Sequence, residues 1–218
     1  LCADEGCAYD AEIELDLSTL EPLIACPDQP DNVKKVRELE PAGVQQVFFG
    51  SCTNGSYSDI AKAALVFQGR HVNENVSCVC GVATKQIYKR LLRDGYIDML
   101  LDAGVRLTEI ACGACSGIGQ CPPTNSVSVR TSNRNFKGRS GTATAKLYLV
   151  SPETAAATAI AGTFITAEDI LGADVAKLAD VHEPLHYPID DSMLLPPLPQ
   201  EEAEQVQIVR GPNIQPLP

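Results

Sequence analysis

Apolar and polar positions along this chain follow two alternating periods, and short turn signals separate them. Val44–Phe49 is an apolar, β-prone run that ends in Gly50-Ser51. After it, Ala61, Ala64, Leu65 and Phe67 recur at helical spacing, with Ser58 or Asp59 placed to cap the helix. Val76–Val82 is a second apolar run. Ile87, Leu91 and Leu92 then repeat as a helix that stops at Gly95, and Ile97–Ala103 forms another that stops at Gly104. Arg106–Ala111, Ser126–Ser132 and Leu147–Val150 read as further strands. The last enters a helix with Ser151 at its N-cap and Pro152 in its first turn, running through Ala155–Ala161 to Gly162. Strand and helix alternate, which predicts an α/β fold: a mostly parallel sheet in a three-layer α/β/α arrangement, followed by a Pro-rich extended tail. In such sheets ligands bind beyond the carboxyl ends of the strands.

The flanks differ from this regular part, and three regions result. Residues 1–42 form an acidic lead-in segment expected to pack on the domain. Within it Ala11-Glu12-Ile13-Glu14-Leu15-Asp16-Leu17 alternates like a half-exposed strand. Residues 43–181 form the α/β domain. Residues 182–218 carry eight prolines in 37 residues and read as a linker or a tail laid over a neighbour, with Val206–Val209 as one short strand.

Composition removes several function classes. The chain has 218 residues, is 44% hydrophobic and is only 21% charged, which excludes a disordered polyelectrolyte. Its net charge of −11 disfavours nucleic acid as a partner. No apolar run approaches the ~20 residues of a membrane helix. Leu1–Glu5 is acidic where a secretory leader needs basic and then apolar residues, so none is expected. The absence of an initial Met suggests a processed product or a piece of a longer protein. Nine cysteines are an odd set, which together with the chain length points to a reducing compartment and to thiols used as core residues or metal ligands.

Three of those cysteines stand out. Cys52 lies in Gly50-Ser51-Cys52-Thr53-Asn54-Gly55, at the end of the first interior strand. Cys112 and Cys115 form a C-x-x-C beyond Arg106–Ala111. In a parallel sheet both positions open onto one edge, so the three thiols can converge. The C-x-x-C alone is compatible with a redox pair, half a zinc site or chance. Zinc would need a fourth ligand from Cys121, Cys78, Cys80 or a histidine, and none stands at pair spacing. A thioredoxin-like helix start fits poorly with Gly113, Gly117 and Gly119. An iron–sulfur cluster with three thiolates and one open iron fits better. Close behind, Arg130, Arg134, Lys137 and Arg139 place four cations within ten residues. Arginine suits bidentate grip on carboxylates, so this segment is a candidate site for an anionic substrate.

At these residues the chain resembles the aconitase and isopropylmalate dehydratase family of hydro-lyases. The matching stretches are Gly50–Asn54 (GSCTN), Ala111–Cys115 with Gly117–Gln120 beyond it, Thr131–Arg139 (TSNRNFKGR) and Leu149–Gly162 (LVSPETAAATAIAG). The resemblance spans roughly residues 10–180 and implies the family's third, cluster-bearing α/β domain, most like that of a single-chain bacterial-type aconitase. It implies that Cys52, Cys112 and Cys115 ligate a [4Fe–4S] cluster, that Arg134 and Arg139 grip substrate carboxylates, and that Asn133 is a polar neighbour of the cluster. Gly211-Pro212-Asn213-Ile214 resembles the start of the family's final, swivelling domain. Ser116–Cys121 departs from the common aconitase form by being longer around its glycines.

The resemblance thus implies part of an enzyme that reversibly dehydrates a hydroxy di- or tricarboxylic acid, with citrate/isocitrate in the tricarboxylic acid cycle ahead of isopropylmalate or homoaconitate. The expected location is the cytoplasm, or the mitochondrial matrix in a eukaryote. Family members are several times longer. Their proton-transfer residues lie in other domains, so no catalytic residue is expected here and the isolated chain is expected to be inactive. Its partners are then the small substrate and the remaining domains. His71, His182 and His186 match no family site. The alternatives from another class are a non-catalytic iron–sulfur sensor or a metal-binding module.

Overall fold

The computed structural model describes residues 2–207, 209, 211 and 213. A seven-stranded sheet forms the centre. Its strands are β1 (Leu23–Ala25), β2 (Val33–Lys35), β3 (Gln46–Gly50), β4 (Ser77–Gly81), β5 (Arg106–Leu107), β6 (Val127–Arg130) and β7 (Lys146–Leu149). Their order is β2-β1-β7-β6-β3-β4-β5. Strands β7, β6, β3, β4 and β5 are parallel, while β1 runs antiparallel to β2 and β7. The helices are α1 (Ser51–Asn54), α2 (Tyr57–Phe67), α3 (Lys85–Arg93), α4 (Tyr96–Asp102), α5 (Gly113–Ser116), α6 (Pro152–Ala161), α7 (Ala167–Leu171) and α8 (Gln200–Ala203). The mostly parallel α/β reading therefore holds.

Strand β3 explains the layering. All five of its residues are buried, as expected of a central parallel strand covered on both faces. Successive side chains point to opposite faces. Val47 and Phe49 join the larger core with Ile60, Ala64 and Phe67 of α2 and Ala155, Ala156 and Ala159 of α6. Phe48 joins Val79, Ala114 and Cys115 on the other face, a thin layer under α5. The alanines of α6 carry little side chain, so its backbone and that of α2 come close over the sheet. Capping agrees with the sequence at α6, where the Ser151 side chain accepts from the Thr154 N–H, and at Gly162, which is left-handed (φ 74°). At α2 the cap is Ser56 rather than Ser58 or Asp59. Asp59 sits three residues in and closes a reciprocal capping box with Ser56.

Other expectations change. Ala11–Leu17 forms no strand: residues 2–23 are exposed throughout, and only a 3-10 turn stands at Leu17–Thr19. Alternation alone does not make a strand, because the backbone groups need a neighbouring strand and none lies alongside. Strand β5 stops at Leu107 because it pairs only with β4, at Val79↔Arg106 and Cys80↔Leu107.

Contacts divide the chain into Leu1–Tyr187 and Pro188–Pro218. The second unit carries α8 and exposes Ile189, Met193, Leu194, Leu195 and Leu198. Val206, Gln207 and Val209 carry no strand there, and Ile208 lies outside the described residues, as do Pro212 and Ile214 of the Gly211–Ile214 match. Among the described residues no helix is long and apolar enough to cross a membrane.

Candidate functional site

The site begins where β3 ends. Gly50 adopts φ 100°, and a Cβ there would lie 2.0 Å from the Gly81 carbonyl oxygen, so only glycine fits between β3 and β4. Ser51 follows at φ 71°, a position few non-glycine residues occupy. This sharp exit turns Cys52 into α1, immediately above the sheet edge. The loop after β6 is tied to the same exit. The Gly50 N–H donates to Thr131 Oγ1 at 2.8 Å, and Asn54 Nδ2 donates to the Thr131 carbonyl at 2.5 Å. The strand-end loops that carry Cys52 and Asn133–Arg134 are thereby fixed to one another.

The third loop follows β5. Cys112 caps α5 and Cys115 lies within it, so the C-x-x-C does start a helix, though one of a single turn. Gly117 ends that turn at φ 95°, where a Cβ would meet the Ser140 carbonyl at 2.1 Å. The Cys115 carbonyl accepts from Arg139 Nη1 (3.3 Å), Ser140 Oγ (3.3 Å) and Arg130 Nη1 (3.4 Å). Arg139 Nη2 also donates to Cys115 Sγ at 3.3 Å.

These loops enclose a cavity of about 320 Å³. Cys52, Cys112, Cys115, Asn133, Arg134 and Arg139 all line it, and no carboxylate does. Cys52 and Cys112 are exposed, Cys115 is buried, and all three are free thiols. Among the described residues no group of three His, Cys, Asp or Glu side chains is gathered to hold a metal ion. Three free thiols lining one cavity that no carboxylate lines are the kind of donor set an iron–sulfur cluster takes.

Comparison with known proteins gives the family. The model of the aconitase family (aconitate hydratase) matches residues 1–162. The chain belongs to the aconitase family. It is similar to the 3-isopropylmalate dehydratase large subunit of Nitratidesulfovibrio vulgaris (strain DP4), 42% identical over 162 residues, which are 73% of this chain and 38% of that protein. It is also similar to 3-isopropylmalate dehydratase large subunit 1 of Methanopyrus kandleri, 44% identical over 161 residues (73% and 38%). The large subunit of Pyrobaculum aerophilum is 47% identical over 156 residues (71% and 37%). The chain thus spans well under half the length of these relatives.

In this aconitase-family chain the basic segment does not act as one patch. Only Arg134 and Arg139 reach the cavity. Lys137 lines a separate groove with Asp28, Lys146 and Tyr148. Arg130 is fully buried on the thin-layer face of the sheet. Burial pulls its guanidinium down to about 10, with the Cys115 and Cys121 thiols opposing that fall and Arg139 adding to it. The alternation Val127-Ser128-Val129-Arg130 carries the signal: Arg130 shares a face with Ser128, opposite the core-facing Val129. Asn135 is likewise structural, donating to the Cys26 carbonyl at 2.7 Å and so anchoring the loop to the turn after β1. His71, His182 and His186 are exposed and stand away from the cavity, and Cys121 does not line it.

Proposed function

We propose that this chain is the cluster-bearing part of a hydro-lyase that reversibly dehydrates a hydroxy dicarboxylic acid of the 3-isopropylmalate type. The observation that carries the reading is the convergence of three free thiols and two arginines on one cavity without a carboxylate. The relatives' names favour isopropylmalate over citrate/isocitrate, and the expected place in the tricarboxylic acid cycle has no support from them. Cys52, Cys112 and Cys115 hold the [4Fe–4S] cluster. When bound, that cluster supplies a Lewis-acidic iron for the substrate's hydroxyl and carboxylate. Arg134, exposed at the rim, grips a carboxylate bidentately. Arg139 steadies Cys115 and adds its charge to the same wall. Asn133 lines the cavity as a polar neighbour. With no carboxylate lining this wall, the proton is moved by residues of other domains or of a partner chain. A cytoplasmic location goes with this reading, because a reducing compartment keeps such thiols available as ligands.

Anaerobic reconstitution of the 218-residue chain with ferrous iron and sulfide, read by metal analysis and Mössbauer spectroscopy, tests the assignment. The expected result is about four irons per chain, lost when Cys52, Cys112 or Cys115 is replaced by serine. Stoichiometric zinc without iron uptake would overturn it. The loaded chain alone is expected to turn over neither 3-isopropylmalate nor citrate, and measurable turnover would refute the assignment of proton transfer to other domains.

A further inference from the structure

The pleat that sends Val129 into the helix layer sends Arg130 to the opposite face, where it is completely buried. Its donors are well used there. Nε donates to Ser128 Oγ at 3.0 Å. Nη1 donates to the carbonyls of Ala114 (3.1 Å) and Cys115 (3.4 Å). Nη2 donates to Gln46 Oε1 (2.7 Å) and to the carbonyl of Gln120 (3.2 Å). The ring of Phe48 lies 5.5 Å away, under the guanidinium carbon. Gln46 reinforces the arrangement by donating from Nε2 to the same Gln120 carbonyl at 3.2 Å.

Two features of this inventory stand out. Three of the five acceptors are backbone carbonyls of residues 114–120, so one side chain on the central strand β6 grips the C-x-x-C loop near both its ends. And every acceptor is neutral: no carboxylate stands among the partners of Arg130, and it takes part in none of the ion pairs among the described residues. Neutral oxygens satisfy the N–H groups and leave the charge in place. A buried charge without a counter-ion is strongly unfavourable. Two thiols of the same loop stand near it, those of Cys115, whose carbonyl it holds and which lines the cavity, and of Cys121.

We propose that Arg130 is a positioning residue for the cluster: it fixes the Cys112–Cys115 loop to the sheet, and its unpaired charge is balanced by the cluster's thiolates. This rests on the cluster assignment above. On that basis the division of labour among the arginines is clear. Arg134 and Arg139 face the cavity, where the substrate binds. Arg130 stands behind the loop, where it acts on the electrons of the cluster and on its retention. The fork geometry matters for the second role, because a lysine point charge cannot span three carbonyls.

Three variants of the full chain separate charge from grip: Arg130→Met, Arg130→Lys and Gln46→Glu. After anaerobic reconstitution, the readouts are the midpoint potential by redox titration, followed by electron paramagnetic resonance, and the rate of cluster loss to a chelator. Arg130→Met is expected to change the oxidised-to-reduced ratio at a fixed poise about tenfold toward the oxidised form, 59 mV for a one-electron couple. It is also expected to lose the cluster about tenfold faster. Arg130→Lys restores the potential toward wild type and leaves the faster loss. Gln46→Glu keeps the guanidinium and all of its own hydrogen bonds, gives up only the Gln46 Nε2 bond to the Gln120 carbonyl, and supplies the missing carboxylate, so the potential falls while the cluster is lost far more slowly than in Arg130→Met. It decides the matter even where Arg130→Met fails to fold. A wild-type chain that loads iron, with Gln46→Glu and every folded Arg130 variant matching its potential and its cluster lifetime, overturns the role of Arg130 alone. A wild-type chain that takes up no iron overturns the cluster reading and this inference with it.

Discussion

Cys78 and Cys80 stand two residues apart on β4, and Cys112 and Cys115 stand three apart at α5, yet the two pairs live in opposite surroundings. The β4 thiols are 3% and 0% exposed and pack into the helix-covered core. Burial pushes both far above the ordinary thiol value, which makes them inert. Cys112 is exposed and Cys115 sits at the cavity wall, held by Arg139. The side chain is the same in all four. What differs is whether the chain is still in the sheet or has just left it. A strand interior turns a thiol into a small hydrophobe, and a strand end presents it to a ligand.

The largest test of that contrast is the exit itself. Gly50→Ala places a methyl group 2.0 Å from the Gly81 carbonyl, at a φ of 100°. Neither strand can move, because both are central and paired residue for residue. The variant is expected to lose more than about 4 kcal/mol or to fail to fold. Gly119→Ala, at φ 69° with open space around its Cβ, is expected to lose only about 1–2 kcal/mol. Urea unfolding of both variants checks this, and equal losses would refute the idea that the exit is sterically fixed.

A smaller effect separates the two kinds of thiol directly. Cys80→Ser buries a hydroxyl in an apolar core and is expected to lose about 1–3 kcal/mol. Cys52→Ser is an exposed change, expected within about 0.5 kcal/mol in the apo chain. Iron uptake should reverse the order, being retained in folded Cys80→Ser and lost in Cys52→Ser. Equal iron content in the two variants would break the comparison.

The same contrast explains which parts were legible from sequence. Val44–Phe49, the Ser151-Pro152 start of α6 and the glycines after α3, α4 and α6 announce their elements, because each local signal is the whole cause of the element. That Cys52 and the Cys112–Cys115 pair line one cavity was legible because strand-end motifs in a parallel sheet share an edge, whereas Asn133, Arg134 and Arg139 were placed beside them by the family resemblance. Strands β1 and β2 were not, because three-residue strands such as Val33-Lys34-Lys35 carry no pattern and exist through pairing with distant residues. Ala11–Leu17 shows the converse, a pattern with no neighbour to complete it. Arg130 was grouped with Arg134 and Arg139 because charge counted along the chain ignores the pleat that separates them.

The smallest effect lies away from the cavity and concerns acid. The Asp94 carboxylate accepts from Arg90 Nε at 2.7 Å and from the Tyr57 hydroxyl at 2.6 Å, and these bonds hold it below the ordinary 3.8. Asp169 is held below it chiefly by the Thr166 hydroxyl and N–H, with Arg37 adding to the effect. A carboxyl group whose value is depressed on folding stabilises the fold at neutral pH and stops doing so as pH falls through the folded value. Unfolding temperature should therefore be flat from pH 7 to about 5 and fall below about 4. Both groups are partly exposed, so the loss is modest and shrinks with added salt. Asp94→Asn keeps an acceptor for Tyr57 without a charge, and its curve should fall less steeply between pH 5 and 3. Parallel curves for Asp94→Asn and the unaltered chain would show that the acid sensitivity comes from elsewhere.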